Sequence, residues 1–111
     1  MKDRSKLSRY WEALSSGIDI LITHGAPKGI LDLSHNREHK LEYCGDATLT
    51  KAIFINQPKF HVFGHIHDSK GCFNSGVTKL STCSTTFINA SVVTDGKINQ
   101  GCSSNGQIFD I

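Results

Sequence analysis

Two histidines in Gly64-His65-Ile66-His67 are the residues most suited to chemistry, because imidazoles at i and i+2 leaving a strand can be presented side by side. Imidazole is a common ligand for Zn, Mn, Fe and Ni, and the preceding glycine lets backbone or metal approach closely. Alone, the pair is weak evidence and reads more readily as two surface histidines. A second element, Thr23-His24-Gly25, ends another apolar run, and two strand ends of one sheet can converge on a single site. His24, His65 and His67 are therefore the candidate metal ligands. Taken by itself, His24 would be a satisfied core or loop histidine.

Those residues need elements to position them. Leu7, Tyr10, Trp11 and Leu14 fall at i, i+3, i+4 and i+7, which predicts a short helix docked on a sheet and ended by Ser15-Ser16-Gly17. Residues 18–23 are a short β-branched run between glycines, which predicts a strand covered on both faces. Residues 25–40 read as a long loop with at most a helical turn. Asp46 is placed to cap a helix carrying Leu49, Ala52 and Ile53, with Asn56 and Pro58 at its stop. Phe60-His61-Val62-Phe63 is then a strand leading into the histidine pair, interrupted by Gly64. Short strands follow at 77–80, 85–89, 92–93 and 107–111, with a hairpin-like turn at 94–97. No repeat or internal linker divides the chain, so residues 1–111 form one unit.

A length of 111 residues suits one modest hydrophobic core. The formal charge of +2 is spread along the chain, which gives no nucleic-acid surface and no pull toward anionic membranes. No apolar run reaches a membrane span, and no apolar signal-peptide core follows the N-terminus, so an intracellular, cytoplasmic location is expected. Cys44, Cys72, Cys83 and Cys102 contain no C-x-x-C pair and read as reduced structural thiols.

At the histidines the sequence resembles the metallophosphoesterase (calcineurin-like phosphoesterase) superfamily. Within it, the sequence is most similar to the metallophosphoesterase-domain proteins related to cyclic-nucleotide phosphodiesterases. The blocks are Asp19-Ile20-Leu21-Ile22-Thr23-His24-Gly25-Ala26-Pro27, Gly45-Asp46 with Leu49, Pro58-Lys59-Phe60-His61-Val62-Phe63-Gly64-His65-Ile66-His67, and Phe87-Ile88-Asn89-Ala90-Ser91. They occur in the family's order from about Gly17 onward. The resemblance implies an α/β fold, the C-terminal half of a four-layer α/β/β/α sandwich, as a single partial domain over 1–111. It implies two divalent metal ions (Mn, Fe, Zn or Ni), with His24 and His65 on one and His67 on the other. The implied reaction is hydrolysis of a small phosphoester, a cyclic nucleotide being the substrate suggested by resemblance.

The family's first-half motifs, D-x-H, a bridging aspartate in G-D, and G-N-H, have no counterpart ahead of His24. Asp46, in the one Gly-Asp, falls where the family starts a helix and reads as a cap. The expected activity is that of a metallophosphoesterase whose ligand set is incomplete in this chain, leaving it weakly active or inactive alone. Completion would require a missing N-terminal half or self-association. The alternatives are an inactive remnant that binds metal or a partner, and an interaction module whose histidines are incidental. Exposed sheet edges are expected where the first half would pack. Asn89, His61 and Asp68 are candidates to support the ligands, each with a plainer reading: a turn asparagine, a packed strand histidine and a turn aspartate. His35 and His39 read as a solvated face, and Cys72 and Cys83 fall outside the resembled ligand pattern.

Overall fold

Asp46 starts the main helix of the fold. In the computed structural model, which describes residues 4–69 and 71–92, Asp46 is extended (φ −96°, ψ 116°) and its carboxylate accepts hydrogen bonds from the Thr48 and Leu49 amides. These satisfy two of the donors that any helix start leaves unpaired. The chain order is a 3-10 turn (Arg4–Leu7), α1 (Ser8–Glu12), β1 (Ile20–Ile22), β2 (Leu33–His35), β3 (Leu41–Tyr43), α2 (Ala47–Asn56), β4 (Phe60–Phe63), β5 (Gly76–Leu80) and β6 (Cys83–Asn89). Helix α2 buries Leu49, Ala52 and Ile53, as their spacing predicts, and ends on Gln57 in the left-handed region (φ 44°). Pro58 then lacks the amide needed to continue it.

The sheet order is β1-β4-β6-β5. Strands β1, β4 and β6 are parallel, and β5 closes the far edge antiparallel to β6. This is an α/β fold with a mixed sheet. Register places Leu21 beside His61 and His61 beside Phe87, so these side chains share one face. That face meets α2: Leu49 and Ile53 cluster with Phe63, Phe87, Cys83, Ala26 and Ile30 in one buried core.

Three expectations are corrected. Strand β1 is shorter than residues 18–23 and is not covered on both faces. It lies at the end of the sheet order with one neighbour among the described residues, and Ile22 on its outer face is 75% exposed. Helix α1 stops at Glu12 and packs against α2 instead of on the sheet. The indole N–H of Trp11 donates to the Asp46 Oδ2 at 3.0 Å, and its ring reaches the core cluster. The supposed loop at 25–40 contains β2, which pairs antiparallel with β3 as Leu33↔Tyr43, Ser34↔Glu42 and His35↔Leu41. Its turn is closed by Asn36, whose Oδ1 accepts from the Glu38 and Lys40 amides, while His39 takes a positive φ of 60°.

The solvated reading of His35 and His39 agrees with their exposure. Strands β5 and β6 begin slightly earlier than expected, and Val92 is in no strand. The strand expected at 107–111, the turn at 94–97 and Cys102 lie outside the described residues. Cys44, Cys72 and Cys83 are thiols. Among the described residues, no helix is long and apolar enough to cross a membrane.

Candidate metal centre

Parallel strands deliver their carboxyl ends to one side of a sheet, which is where open α/β sheets place ligands. Here the ladder runs past the strands themselves: the Thr23 amide donates to the Val62 carbonyl at 3.0 Å, the Gly64 amide to His24 at 3.1 Å, and the Ala90 amide to Phe63 at 2.7 Å. His24 and His65 are therefore brought together. Their ring centroids are 4.6 Å apart and the planes are tilted by 55°.

The turn at His65 is strained. The Ile66 amide donates back to the Gly64 carbonyl at 2.8 Å, closing a three-residue turn around His65 at φ 68°. A γ-turn with positive φ is the rare, costly form, on the order of 1–3 kcal/mol for a residue other than glycine. Such a conformation persists only where its surroundings hold it. Gly64 is not what makes room: a Cβ there would meet only Ser91 Oγ, at an ordinary 3.6 Å.

Two buried asparagines do the holding. Asn89 Nδ2 donates to the Ile66 and Leu31 carbonyls, both at 3.0 Å, and its Oδ1 accepts from the Ser91 amide. Asn74 Nδ2 donates to the His67 carbonyl at 3.2 Å and the Leu33 carbonyl at 2.8 Å, and its Oδ1 accepts from the Leu33 amide. Both carbonyls that follow the γ-turn are thus pinned, one to β6 and one to β2. Asp68 Oδ1 accepts from the Asn74 and Ser75 amides, closing the loop that carries Asn74 as a turn aspartate does. Asn74 had no sequence signal beyond a polar residue near a glycine.

His61 lies one layer below. It is fully buried, with Nε2 at 2.8 Å from Thr23 Oγ1. The Thr23 hydroxyl has one proton, which goes to the Gly25 carbonyl at 2.7 Å, so His61 must donate from Nε2. His61 Nδ1 then finds no hydrogen-bond partner among the described residues. Burial pushes this imidazole down to about 3 from its ordinary 6.5, so it is neutral and fixes the hydroxyl beside His24.

A pH dependence follows from His61. Between pH 6.5 and about 3 the unfolded chain takes up a proton at His61 that the folded chain refuses, so stability falls as pH drops through that window. The limiting slope is about 1.4 kcal/mol per pH unit. Urea midpoints at pH 7 and pH 5 should show the native chain losing about 2 kcal/mol more than His61→Phe. Parallel losses would mean that His61 is not held neutral.

Asp32 and the close approach at Gly45 escaped sequence reasoning. Asp32 is fully buried, and its Oδ2 accepts from the Gly29 amide at 3.0 Å and the Gly45 amide at 2.8 Å. It joins the loop after His24 to the segment leading into α2. The Asp46 carboxyl is raised by burial, but hydrogen bonds from Thr48, Trp11 and the Thr48 and Leu49 amides outweigh that and hold it below its ordinary value.

Among the described residues, no group of three or more His, Cys, Asp or Glu side chains is placed to hold a metal ion. The neighbouring imidazoles of His24 and His65 suit two positions in the shell of one ion, leaving the others to be supplied from elsewhere. His67 follows with its carbonyl on Asn74, outside any such group. A cavity of about 300 Å³ opens beside the pair, lined among others by Trp11, Ala26, Leu49 and Ile66.

The chain is 40% identical to Metallophosphoesterase domain-containing protein 1 of Homo sapiens over 85 residues, 76% of this chain and 23% of that protein. It is 39% identical over 74 residues to UPF0046 protein T07D4.2 of Caenorhabditis elegans, 66% of this chain and 18% of the relative. UPF0046 protein K07C11.7 of the same organism is 34% identical over 91 residues, 82% of this chain and 27% of the relative. The relatives support a metallophosphoesterase-related family. No family model matches the chain. It spans less than a third of the length of these curated relatives.

Proposed function

We propose that the chain is the C-terminal part of a metal-dependent phosphoester hydrolase of the binuclear metallophosphoesterase type. The observation that carries this reading is the His24–His65 pair, 4.6 Å apart at the carboxyl ends of parallel strands, with His65 held in a strained turn. His24 and His65 ligate one divalent ion (Mn, Fe, Zn or Ni), and His67 serves the second. Such ions polarise a phosphoryl oxygen and lower the pKa of bound water. The residues of this chain orient that chemistry: His61 fixes Thr23 beside His24, and Asn89 and Asn74 fix the backbone carrying His65 and His67.

In this reading the described elements are one half of a four-layer sandwich, a single partial domain, and the substrate is a small phosphoester, a cyclic nucleotide by resemblance. Because two neighbouring imidazoles cannot fix two ions, full activity needs ligands from a first half or from self-association. The lack of a three-ligand group among the described residues favours a second reading, an inactive metal- or partner-binding module. Both readings place the protein in the cytoplasm.

A thermal melt with and without Mn tests metal binding. A ligand at about 100 times its Kd adds about 2.7 kcal/mol, which should raise the Tm by roughly 10 °C or more for a domain of this size. His65→Gly is the informative variant, because glycine accepts φ 68° without strain while removing the imidazole. It should abolish the shift and leave the metal-free Tm unchanged or higher. An equal shift in both proteins overturns the assignment. Hydrolysis of bis(p-nitrophenyl) phosphate then separates the two readings: activity only on mixing with a family first half supports the hydrolase, and silence in the mixture supports the module.

A further inference from the structure

The two edges of the β2–β3 ribbon end differently. The Cys44 amide donates to the Asp32 carbonyl and the Asn36 amide to the Lys40 carbonyl, so the even-numbered residues bond across the ribbon. By alternation the amides and carbonyls of Leu33, Leu41 and Tyr43 face outward. On the β2 edge Asn74 stands in for a neighbouring strand: its Oδ1 accepts from the Leu33 amide at 2.9 Å and its Nδ2 donates to the Leu33 carbonyl at 2.8 Å. Among the described residues, no side chain closes the β3 edge in this way, and all three residues of β3 are exposed. Leu41 is 53% exposed and Tyr43 56%. We propose that β3 is a docking edge that takes an extended segment of a partner protein as a third strand, one with a basic residue between two apolar residues. The histidine centre plays no part in it.

Exposed edges are commonly blunted by lysine, proline, a bulge or a covering loop. Strand β3 instead carries Leu41 and Tyr43 on one face, with Glu42 on the other. In strand addition the main chain supplies affinity and alternate side chains supply specificity. An added strand would place its apolar residues opposite Leu41 and Tyr43 and its basic residue opposite Glu42, the favourable cross-strand pairs. Glu42 is open to such a cation: the described ion pairs are Lys40–Glu38 and Lys59–Asp19, and the Glu42 carboxylate has only the Asn36 Nδ2 at 3.5 Å. The same charge opposes a second copy of this chain. Antiparallel self-pairing that uses both the Leu41 and Tyr43 amides sets Glu42 directly against Glu42 of the other copy, a repulsive pair. Shifting toward the turn brings in His39, whose φ of 60° leaves the strand, and shifting the other way brings in Gly45, whose amide is held by Asp32.

The experiment titrates the full chain by NMR with three synthetic peptides: acetyl-Thr-Val-Lys-Val-Thr-amide, the same peptide with Glu in place of Lys, and the Lys peptide N-methylated at both valines. The Lys peptide should bind about fivefold more tightly than the Glu peptide, and Glu42→Lys, an exposed substitution, should reverse that preference. The N-methylated peptide keeps the side chains but lacks the main-chain donors, so it should lose most of the affinity. With the Lys peptide bound, hydrogen exchange should slow by about tenfold at the Leu41 and Tyr43 amides and change less at Glu42, whose amide already faces β2. Equal affinity for the Lys and Glu peptides overturns the basic partner. Undiminished binding of the N-methylated peptide overturns strand addition. Slower exchange at Leu41 and Tyr43 on raising the protein concentration without peptide overturns the partner in favour of a second copy. Failure of all three peptides to bind overturns the docking edge.

Discussion

Asn89→Ala is expected to destabilise the protein by about 2–4 kcal/mol, because one buried and two part-buried backbone groups lose their partner at once. The Leu31 and Ile66 carbonyls each lose a donor at 3.0 Å, and the Ser91 amide loses its acceptor. Each unsatisfied buried group costs about 1–3 kcal/mol, and a domain has only ~5–15 kcal/mol in total. Urea unfolding of Asn89→Ala and Asn89→Asp reads the effect. Aspartate keeps the acceptor for Ser91 but has no N–H for Ile66, so it should fall nearly as far as alanine. A loss under about 1 kcal/mol in both would mean that solvent replaces these bonds and that the γ-turn at His65 does not depend on Asn89.

Gly45→Ala has the second large effect. A Cβ at Gly45 would lie 2.5 Å from the Lys28 nitrogen and the Pro27 carbonyl carbon, and 2.6 Å from the Pro27 oxygen. These are backbone atoms and cannot swing aside as a side chain would. Moving them would break the exchange in which the Lys28 amide donates to the Asp46 carbonyl and the Asp46 amide to Ala26. It would also pull the Gly45 amide from Asp32. The cost is about 3 kcal/mol or more, read as a drop in Tm exceeding 10 °C. Gly64→Ala is the comparison, with its nearest neighbour at an ordinary 3.6 Å, and should cost under about 1 kcal/mol. If the two glycines behave alike, the close approach at Gly45 does not exist in solution.

The contrast between these glycines shows where the sequence was readable. Helix α2 and its buried face followed from Asp46, Leu49, Ala52 and Ile53, because cap chemistry and helical spacing are local properties. The meeting of His24 with His65 followed from two apolar runs that each ended in histidine. Strand β1 was misjudged because a continuous apolar run looks the same whether its second face is covered or open, and Ile22 proves open. The β2–β3 hairpin was missed because its alternation is hidden among polar residues, and the Asn36 bonds that close it appear only in three dimensions. Asp32, Asn74 and Gly45 act through partners distant in sequence, which no local pattern marks. The resemblance assigns His67 to the second ion, and the His24–His65 ring pair bears on the first.

The parallel pairing of β1 with β4 also has a consequence for how the protein reaches its folded state. His24 and His65 sit on segments separated by about forty residues, and a parallel pairing cannot be nucleated by a short turn, so that loop must close before the imidazoles meet. The β2–β3 hairpin and α2 need no such closure and can form earlier. An ion that requires both histidines has nothing to bind until the late step is complete. It therefore cannot hasten folding; its effect is to slow the unfolding rate.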